Sequence, residues 1–438
     1  MSVARDVAAS VLVRVEKEKA FAAAALEAEI ARAATIDARD RALATELVYG
    51  ALRVAPWLDV QLARFAPRGT AKLEARVRAC LTLAAYQLFF TRIPAFAAVN
   101  EAVQAVNEAR GPRVAAFANA VLRKVAAAAS EARGSDEAEA TLLETAVVES
   151  TAPWLREALE RSLGVDGARA FLRSGMAPPA VALRVDQAID TPGARDVWLE
   201  RLRTASPDAS IEPGRASPLA ILLRGAGKPQ RLPGFEEGAW SVQEEGSQAA
   251  ALAVGARPGE IVLDACAGRG NKTSLLARAV GPNGAVDACD TSAAKLERLQ
   301  IELARVGQRP RATFAVDWSV GSGEVTGDYD RVLVDAPCSG VGTLRRRPEI
   351  GLRRRGEDLA GLARTQMAIA QRAALHVRPG GCLVYVVCSV LREEAEDVVE
   401  GLAASLPDFD DAGAQTFRLL PHVDGTDGYF VAKLVRKA

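Results

Sequence analysis

Two cysteines sit just beyond apolar runs in the C-terminal half of the chain, Cys338 in YDRVLVDAPCSG and Cys388 in GCLVYVVCSV. A thiolate is both a strong nucleophile and a good leaving group. One cysteine of such a pair can therefore add to an electron-poor carbon while the second assists product release. The other four cysteines, Cys80, Cys266, Cys289 and Cys382, form no Cys-x-x-Cys pair, and none is grouped with a histidine. That spacing speaks against a zinc site or a disulfide framework, and free thiols suit a reducing compartment. Cys80, Cys289 and Cys382 read as small buried hydrophobes. The two histidines, His376 and His422, have no nucleophile motif around them. Proton transfers then fall to carboxylates, thiols, lysine or water.

Both cysteines belong to a region, 236–438, in which strand and helix patterns alternate: EIVLDAC and TSLLARAV, GAVDACD and AAKLERLQIELARVG, RATFAVDW, YDRVLVDAPC, LARTQMAIAQRAALHV and CLVYVVCS. Such alternation implies a mainly parallel sheet covered by helices on both faces, with ligands bound beyond the carboxyl ends of the strands. Asp264, Asp290, Asp317, Asp335, Cys338 and Cys388 are then expected together at one sheet edge. A turn of small residues, Gly268-Arg269-Gly270-Asn271-Lys272-Thr273, lies between the first of these strands and its helix, where backbone can approach a ligand and helix amides face it. It is not a phosphate-binding P-loop, which would need glycine at Asn271, nor a G-x-G-x-x-G dinucleotide turn, which would need glycine at Thr273. Asp290 ends the second strand, where a carboxylate can accept from both hydroxyls of a ribose. Asp317 ends the third and could receive an adenine amino group. Helix capping is the rival role for Asp290, which precedes Thr291-Ser292 and a helix.

The chain has 438 residues, so two or three domains of roughly 100–200 residues each are expected. Residues 1–130 are rich in alanine and carry apolar residues at helical spacing, as in Val7, Val11 and Val15 or Leu81, Tyr86, Leu88 and Phe89, and read as an all-helical domain. Breaks are expected near Ala34 to Ala38, at Pro67-Arg68-Gly69, at Ile93-Pro94 and at Gly111-Pro112. Residues 131–145 read as an acidic linker. A small α+β subdomain is expected over 146–235, with strands in AVALRVD and LAILLRG and a helix in WLERLRTA. The net charge of zero is unevenly spread: residues 1–124 hold 18 Lys and Arg against 12 Asp and Glu, whereas 125–150 hold one Arg against six acids. A basic module followed by an acidic tether is the pattern. With 49% hydrophobic residues, no apolar run of about 20, and a first segment interrupted by Arg14, Glu16 and Lys17, a cytoplasmic globular protein with no membrane span is expected.

IVLDACAGRGNKT, VDACD, VLVDAPCSGVGTLRRRPEI, LVYVVCSVLREEAEDVV and DGYFVAKL resemble, in order and spacing, the motifs of the RNA cytosine-C5 methyltransferases of the NOL/NOP/Sun type. The bacterial RsmB branch, which modifies small-subunit ribosomal RNA, is the nearest in pattern. RVRACLTLAAYQLFFTRIPAFAAVNEAVQAVNEARGPRVAAFANAVLRKV is similar to the NusB-like RNA-binding domain of that branch. The resemblance spans nearly the whole chain and is weakest from about 155 to 235. It implies three parts: an all-α NusB-like N-terminal domain, a small α+β middle subdomain, and a C-terminal α/β Rossmann-like class I methyltransferase domain. One departure lies in the cofactor loop, where the commoner Ala-Pro-Gly-Gly-Lys is replaced by Gly268-Arg269-Gly270-Asn271-Lys272.

The resemblance further implies S-adenosylmethionine held by Cys266, Ala267, Gly268, Arg269, Gly270, Asn271 and Lys272 and by Asp290, Asp317 and Asp335, with Cys388 as nucleophile and Cys338 promoting release. Lys272 is the candidate cation that favours the thiolate, and Asp335 the group that hydrogen-bonds or protonates cytosine N3. Six arginines, Arg345, Arg346, Arg347, Arg353, Arg354 and Arg355, follow the Cys338 loop at a density suited to phosphate contacts. The target base must be unpaired or flipped, which favours free ribosomal RNA or an assembly intermediate. With 5% aromatic residues, backbone contacts should outweigh base stacking. A monomer without metal is expected. Two other readings stand beside this one, a transfer-RNA methyltransferase of the same chemistry and a non-catalytic RNA-binding assembly factor.

Overall fold

The computed structural model describes every residue except Met1, Ala34, Pro67, Arg68, Asp190 and residues 412–414, and gives backbone alone for Asp136, Ala188 and Asp411. Of the expected breaks, Ala34, Pro67 and Arg68 lie outside the described residues; one helix ends at Arg32 and the next starts at Ala38, and another ends at Ala63 with Gly69 at φ 67° before the helix at Ala75. Two units separate: Met1–Glu157 with Leu172–Ala177 and Leu344–Arg354, and Ala158–Phe171 with Pro178–Thr343 and Arg355–Ala438.

The first unit is helical, as its 3.6-residue periodicity requires. Helix Ala75–Phe90 runs through its core, with every residue from Ala79 to Phe89 buried. Around it lie helices Val3–Lys17, Ala38–Arg53, Ala95–Arg110 and Pro112–Ala132, which turn Val7, Val11, Leu47, Val106 and Leu122 inward. Gly50 lets helix Ala38–Arg53 approach closely, because a Cβ there would stand 2.1 Å from the Tyr86 ring. The expected break at Gly111-Pro112 occurs, with Gly111 at φ 77° and Pro112 opening the next helix. The expected acidic linker is different. Helix Pro112–Ala132 is followed by helix Asp136–Ser150, whose N-cap Ser135 accepts from the Ala138 amide at 3.2 Å. Acidic residues near a helix N-terminus complement its dipole, so Glu137 and Glu139, which look like tether charges in sequence, stabilise a helix. Ala146 and Val147 bury against the unit's core.

The second unit holds two sheets. The smaller is antiparallel, in the order β2-β3-β1-β4, from β1 (Val181–Arg184), β2 (Ser210–Pro213), β3 (Ala220–Arg224) and β4 (Ser241–Val242), with helix Ala194–Ala205 packed on it. It draws Ser241–Val242 in from beyond the expected boundary at 235. The larger sheet comprises β5 (Ile261–Asp264), β6 (Ala285–Asp290), β7 (Ala312–Ala315), β8 (Tyr329–Asp335), β9 (Val377–Val387), β10 (Phe409–Asp411), β11 (Phe417–Leu419) and β12 (Tyr429–Arg436). Its order is β10-β12-β9-β8-β5-β6-β7, with β11 also paired to β12. Strands β7, β6, β5, β8 and β9 are parallel, and β12 is antiparallel to β9. Val332, Leu333 and Val334, like Leu383 to Val387, are fully buried, the unbroken apolar run of strands covered on both faces. No helix among the described residues is long and apolar enough to cross a membrane.

Candidate active site

Strand β5 ends on Asp264, β6 on Asp290 and β8 on Asp335, while Cys388 directly follows β9. Because β5 is flanked by β6 and β8, the connections leave it in opposite directions and open a crevice at these carboxyl ends. Parallel β8 and β9 pair Asp335 with Val386, so the turns that leave them emerge side by side. The result is a Cys338 Sγ to Cys388 Sγ distance of 3.3 Å. The two turns are also tied by backbone. The Gly342 amide donates to the Cys388 carbonyl at 3.1 Å and the Gly428 amide to the Gly342 carbonyl at 2.8 Å. Only glycine fits at 342, where a Cβ would stand 2.0 Å from the Gly428 carbonyl oxygen.

The glycine-bearing turn leads into helix Asn271–Val280. Its positive φ angles fall at Gly268 (58°) and Gly270 (86°). Asn271 is not at such a position, so replacing the commoner glycine there carries no backbone strain. Gly270 is needed for packing as well, since a Cβ would lie 2.6 Å from Leu299. The first turn of the helix is held by Arg184 at the end of β1. This fully buried guanidinium donates to Asp186 Oδ1 at 2.5 Å, to Ser274 Oγ at 2.8 Å, to Gln243 Oε1 and to the Asn271 carbonyl.

Lys272, in that first turn, is buried and pairs with Asp335 Oδ2 at 2.5 Å, with its Nζ 5.7 Å from the centre of the Tyr429 ring. Burial alone would lower the ammonium pKa, but Asp335, Cys388 and Asp264 together hold it above its ordinary value. Hydrogen bonding to Cys388 pushes the Cys338 thiol well up, and burial and the nearby Glu394 carboxylate push it the same way. The two cysteines thus differ in surroundings: an ammonium neighbours Cys388, and a carboxylate neighbours Cys338. Asp264 is fully buried and raised to about 7 by burial, against the hydrogen bond that Thr273 Oγ1 donates to its Oδ2 at 2.7 Å. Its Oδ1 has no partner among the described residues.

Asp290 accepts from the Gly268 amide at 3.1 Å through Oδ2 and from the Ser292 amide at 2.9 Å through Oδ1, so it joins the loop to the next helix. Asp317 is exposed two residues past β7, and its carboxylate is held by the Ser319 amide and hydroxyl, which lower its pKa. Cys266, Ala267, Arg269 and Asn271 all lie in the same turn, and burial raises the Cys266 thiol. Cys80, Cys289 and Cys382 are buried free thiols.

The arginines divide. Segment Leu344–Arg354 belongs to the helical unit, where Arg347 and Arg353 stand over the Phe21 ring at 5.9 and 5.6 Å. Arg353 also donates to the Val15 and Ala20 carbonyls, which turns it away from solvent, and Glu349 caps helix Ala22–Arg32 by accepting from the Ala22 amide at 3.1 Å. Arg347 and Arg355 are exposed. Sequence reasoning missed Arg184, Tyr429 and Glu394. Their signals, a charged residue inside apolar AVALRVD, the aromatic of DGYF and an acid just past a cysteine, acquire meaning only from the side chains and backbone they meet.

Residues 251–435 match the family model for the 16S rRNA methyltransferases RsmB/F, and residues 2–127 match that of the NusB family. A ribosomal RNA small subunit methyltransferase B of Pseudomonas putida is 33% identical over 99% of this chain and 98% of its own length. The chain belongs to the RsmB/F methyltransferase family. Other members agree: the enzyme of the same name from Erwinia tasmaniensis is 32% identical over 91% of each chain, and the probable one of Bacillus subtilis 30% identical over 99% and 98%. The crystal structure of PH0851 shares the fold across 98% of both chains, with a TM-score of 0.80 at 23% identity. NSun6 from Pyrococcus horikoshii, solved with SFG, covers 66% of this chain and all of its own, with a TM-score of 0.58 at 18% identity. In RsmB/F terms, the helical unit carries the NusB match and the eight-stranded sheet carries the methyltransferase match.

Proposed function

We propose that this chain transfers a methyl group to C5 of a cytosine in 16S ribosomal RNA, with Cys388 as nucleophile and Cys338 as the group that promotes release. The observation that carries the reading is the pair of thiols 3.3 Å apart at the ends of adjacent parallel strands. S-adenosylmethionine, when bound, supplies an electrophilic methyl. The residues present fit it: a left-handed Gly268 with open space around its Cβ position and a strand-end Asp290 tied to that loop. We assign cofactor contact to Cys266 through Lys272, Asp290, Asp317 and Asp335.

Cytosine C5 is too electron-poor to accept a methyl group unaided. Addition of the Cys388 thiolate at C6 forms the C6–S bond and moves the ring electrons toward C5, which becomes an enamine carbon. Lys272 favours the thiolate by its charge, and Asp335 passes the proton that the Cys388 thiol gives up to the base at N3. After methylation the C5 proton leaves to a water at Cys338, or to Cys338 itself once its own proton has passed to water; the C5–H electron pair re-forms the C5–C6 double bond and the C6–S pair returns to Cys388. Arg345, Arg346, Arg347, Arg354 and Arg355 contact RNA phosphates, with Arg353 holding their segment in place. Six reduced thiols suit a cytoplasmic enzyme.

The test is a pair of variants. Cys388→Ala should abolish methylation, and Cys338→Ala should leave a protein–RNA adduct that survives denaturing electrophoresis. Activity in Cys388→Ala, with inactivity and no adduct in Cys338→Ala, would reverse the two roles. Bisulfite mapping of ribosomal and transfer RNA from a strain without the protein identifies the nucleotide and decides between the two RNA classes.

A further inference from the structure

Behind the two thiols lies a polar cluster that neither bond formation nor methyl delivery requires. Cys338 is followed by Ser339 and Cys388 by Ser389, and both serines are buried. Glu394, fully buried in the short helix Arg392–Glu394, accepts from both. Its Oε1 takes the Ser339 amide at 2.7 Å and Gln366 Nε2 at 3.0 Å; its Oε2 takes the Ser339 hydroxyl and the Ser389 hydroxyl, the latter at 2.6 Å. Gln366 Nε2 donates in addition to the Pro337 carbonyl at 3.1 Å. The Tyr385 hydroxyl lies 2.7 Å from the Glu394 carbonyl oxygen and 3.1 Å from Gln366 Oε1. Burying a carboxylate away from bulk water is costly unless donors surround it, and four surround this one.

We propose that Glu394 is a positioning residue that clamps the Cys338 turn against the Cys388 turn, and that release of the methylated base depends on the clamp. The inference rests on the cysteine roles proposed above. Its bias toward release follows from how the hydrogen bonds of Glu394 and Gln366 are distributed: they hold Ser339 through both its amide and its hydroxyl and Pro337 through its carbonyl, whereas on the Cys388 turn Glu394 takes the Ser389 hydroxyl, and that turn is tied besides by the Cys388 carbonyl to the Gly342 amide. Opening the clamp therefore frees Cys338 first.

The experiment uses the full chain with a small-subunit ribosomal RNA transcript. Glu394→Gln keeps the shape but puts a donor where a serine hydroxyl now donates. It should lower kcat by about tenfold or more, the scale of a small misplacement of a reacting group. The KM values for RNA and S-adenosylmethionine should stay within roughly twofold, because Glu394 touches neither ligand in the proposed site. The denaturation-resistant adduct should accumulate as in Cys338→Ala. Ser339→Ala should slow turnover more than Ser389→Ala, and this order decides the matter where Glu394→Gln does not purify. Wild-type turnover without adduct, a fall in kcat together with a rise in both KM values, or the opposite order of the serines would overturn the clamp. If Cys338→Ala itself forms no adduct, the cysteine roles fall and the inference falls with them; an adduct in Cys338→Ala but not in Glu394→Gln removes the inference alone.

Discussion

Asp264 carries the largest electrostatic strain among the carboxylates of the crevice. Burial lifts its pKa to about 7, from an unfolded value of about 3.9, so the folded chain keeps a proton that the unfolded chain gives up. Stability from this group is full below about pH 4 and is lost as pH rises through about 7. Asp264→Asn removes the titration. In the absence of cofactor, its thermal midpoint relative to the parent should climb between about pH 5 and pH 7. A difference that stays level over that range would place the Asp264 carboxyl at an ordinary pKa. In sequence Asp264 is one strand-end acid among several. Its singular position comes from its complete burial beside Thr273, in the first turn of the next helix, whose hydroxyl donates to one of its oxygens.

Helix Asn271–Val280 shows how one element is aimed by another. Its start is set locally by Gly268 and Gly270, but its first turn is fixed by Arg184 from the separate four-stranded sheet, which grips both the Asn271 carbonyl and Ser274. The middle subdomain is thereby a brace for the glycine turn to which cofactor contact is assigned above. Arg184→Met strips Asp186 of its buried partner, a destabilisation of about 3–5 kcal/mol for such pairs. Chemical denaturation should register that change, and calorimetric titration should show weaker S-adenosylmethionine binding. Arg184→Lys, which cannot hold Asp186 by two bonds, should lie between the two. Undiminished cofactor affinity in Arg184→Met would confine the arginine to stability. The sequence shows AVALRVD as a strand; nothing in it says that its arginine reaches a helix some ninety residues away, because strand periodicity reports which face is buried and not what lies against it.

At the scale of the whole chain, the arginine-rich segment belongs to the helical unit although it follows the Cys338 turn directly. Glu349 and Arg353 are committed to packing there, and the exposed Arg347 with its neighbours Arg345 and Arg346 is the group assigned to phosphate. Replacing Arg345, Arg346 and Arg347 by alanine should weaken RNA binding regardless of sequence and flatten the plot of log affinity against log salt by about 0.7–0.9 for each phosphate no longer neutralised. An unchanged slope would move the phosphate site elsewhere. Density of charge made all six arginines look alike in sequence. The bonds that Arg353 donates to the Val15 and Ala20 carbonyls set it apart from the exposed Arg347.

The sequence by itself determined the parts with short-range causes. Strand and helix alternation, the glycine turn, the strand-end acids and the two cysteines all follow from neighbours a few residues apart, through periodicity and backbone freedom. The helix at Asp136–Ser150 escaped that reading because its acids serve its dipole rather than a tether. What tertiary structure alone decided is which strand ends meet. Placing β8 beside β9 and β5 beside β8 brings Cys338 to Cys388, Lys272 to Asp335 and both serines to Glu394, across separations of fifty to sixty-three residues or a turn of five. Strand order reflects how apolar faces bury together over the whole domain, and no local pattern encodes it.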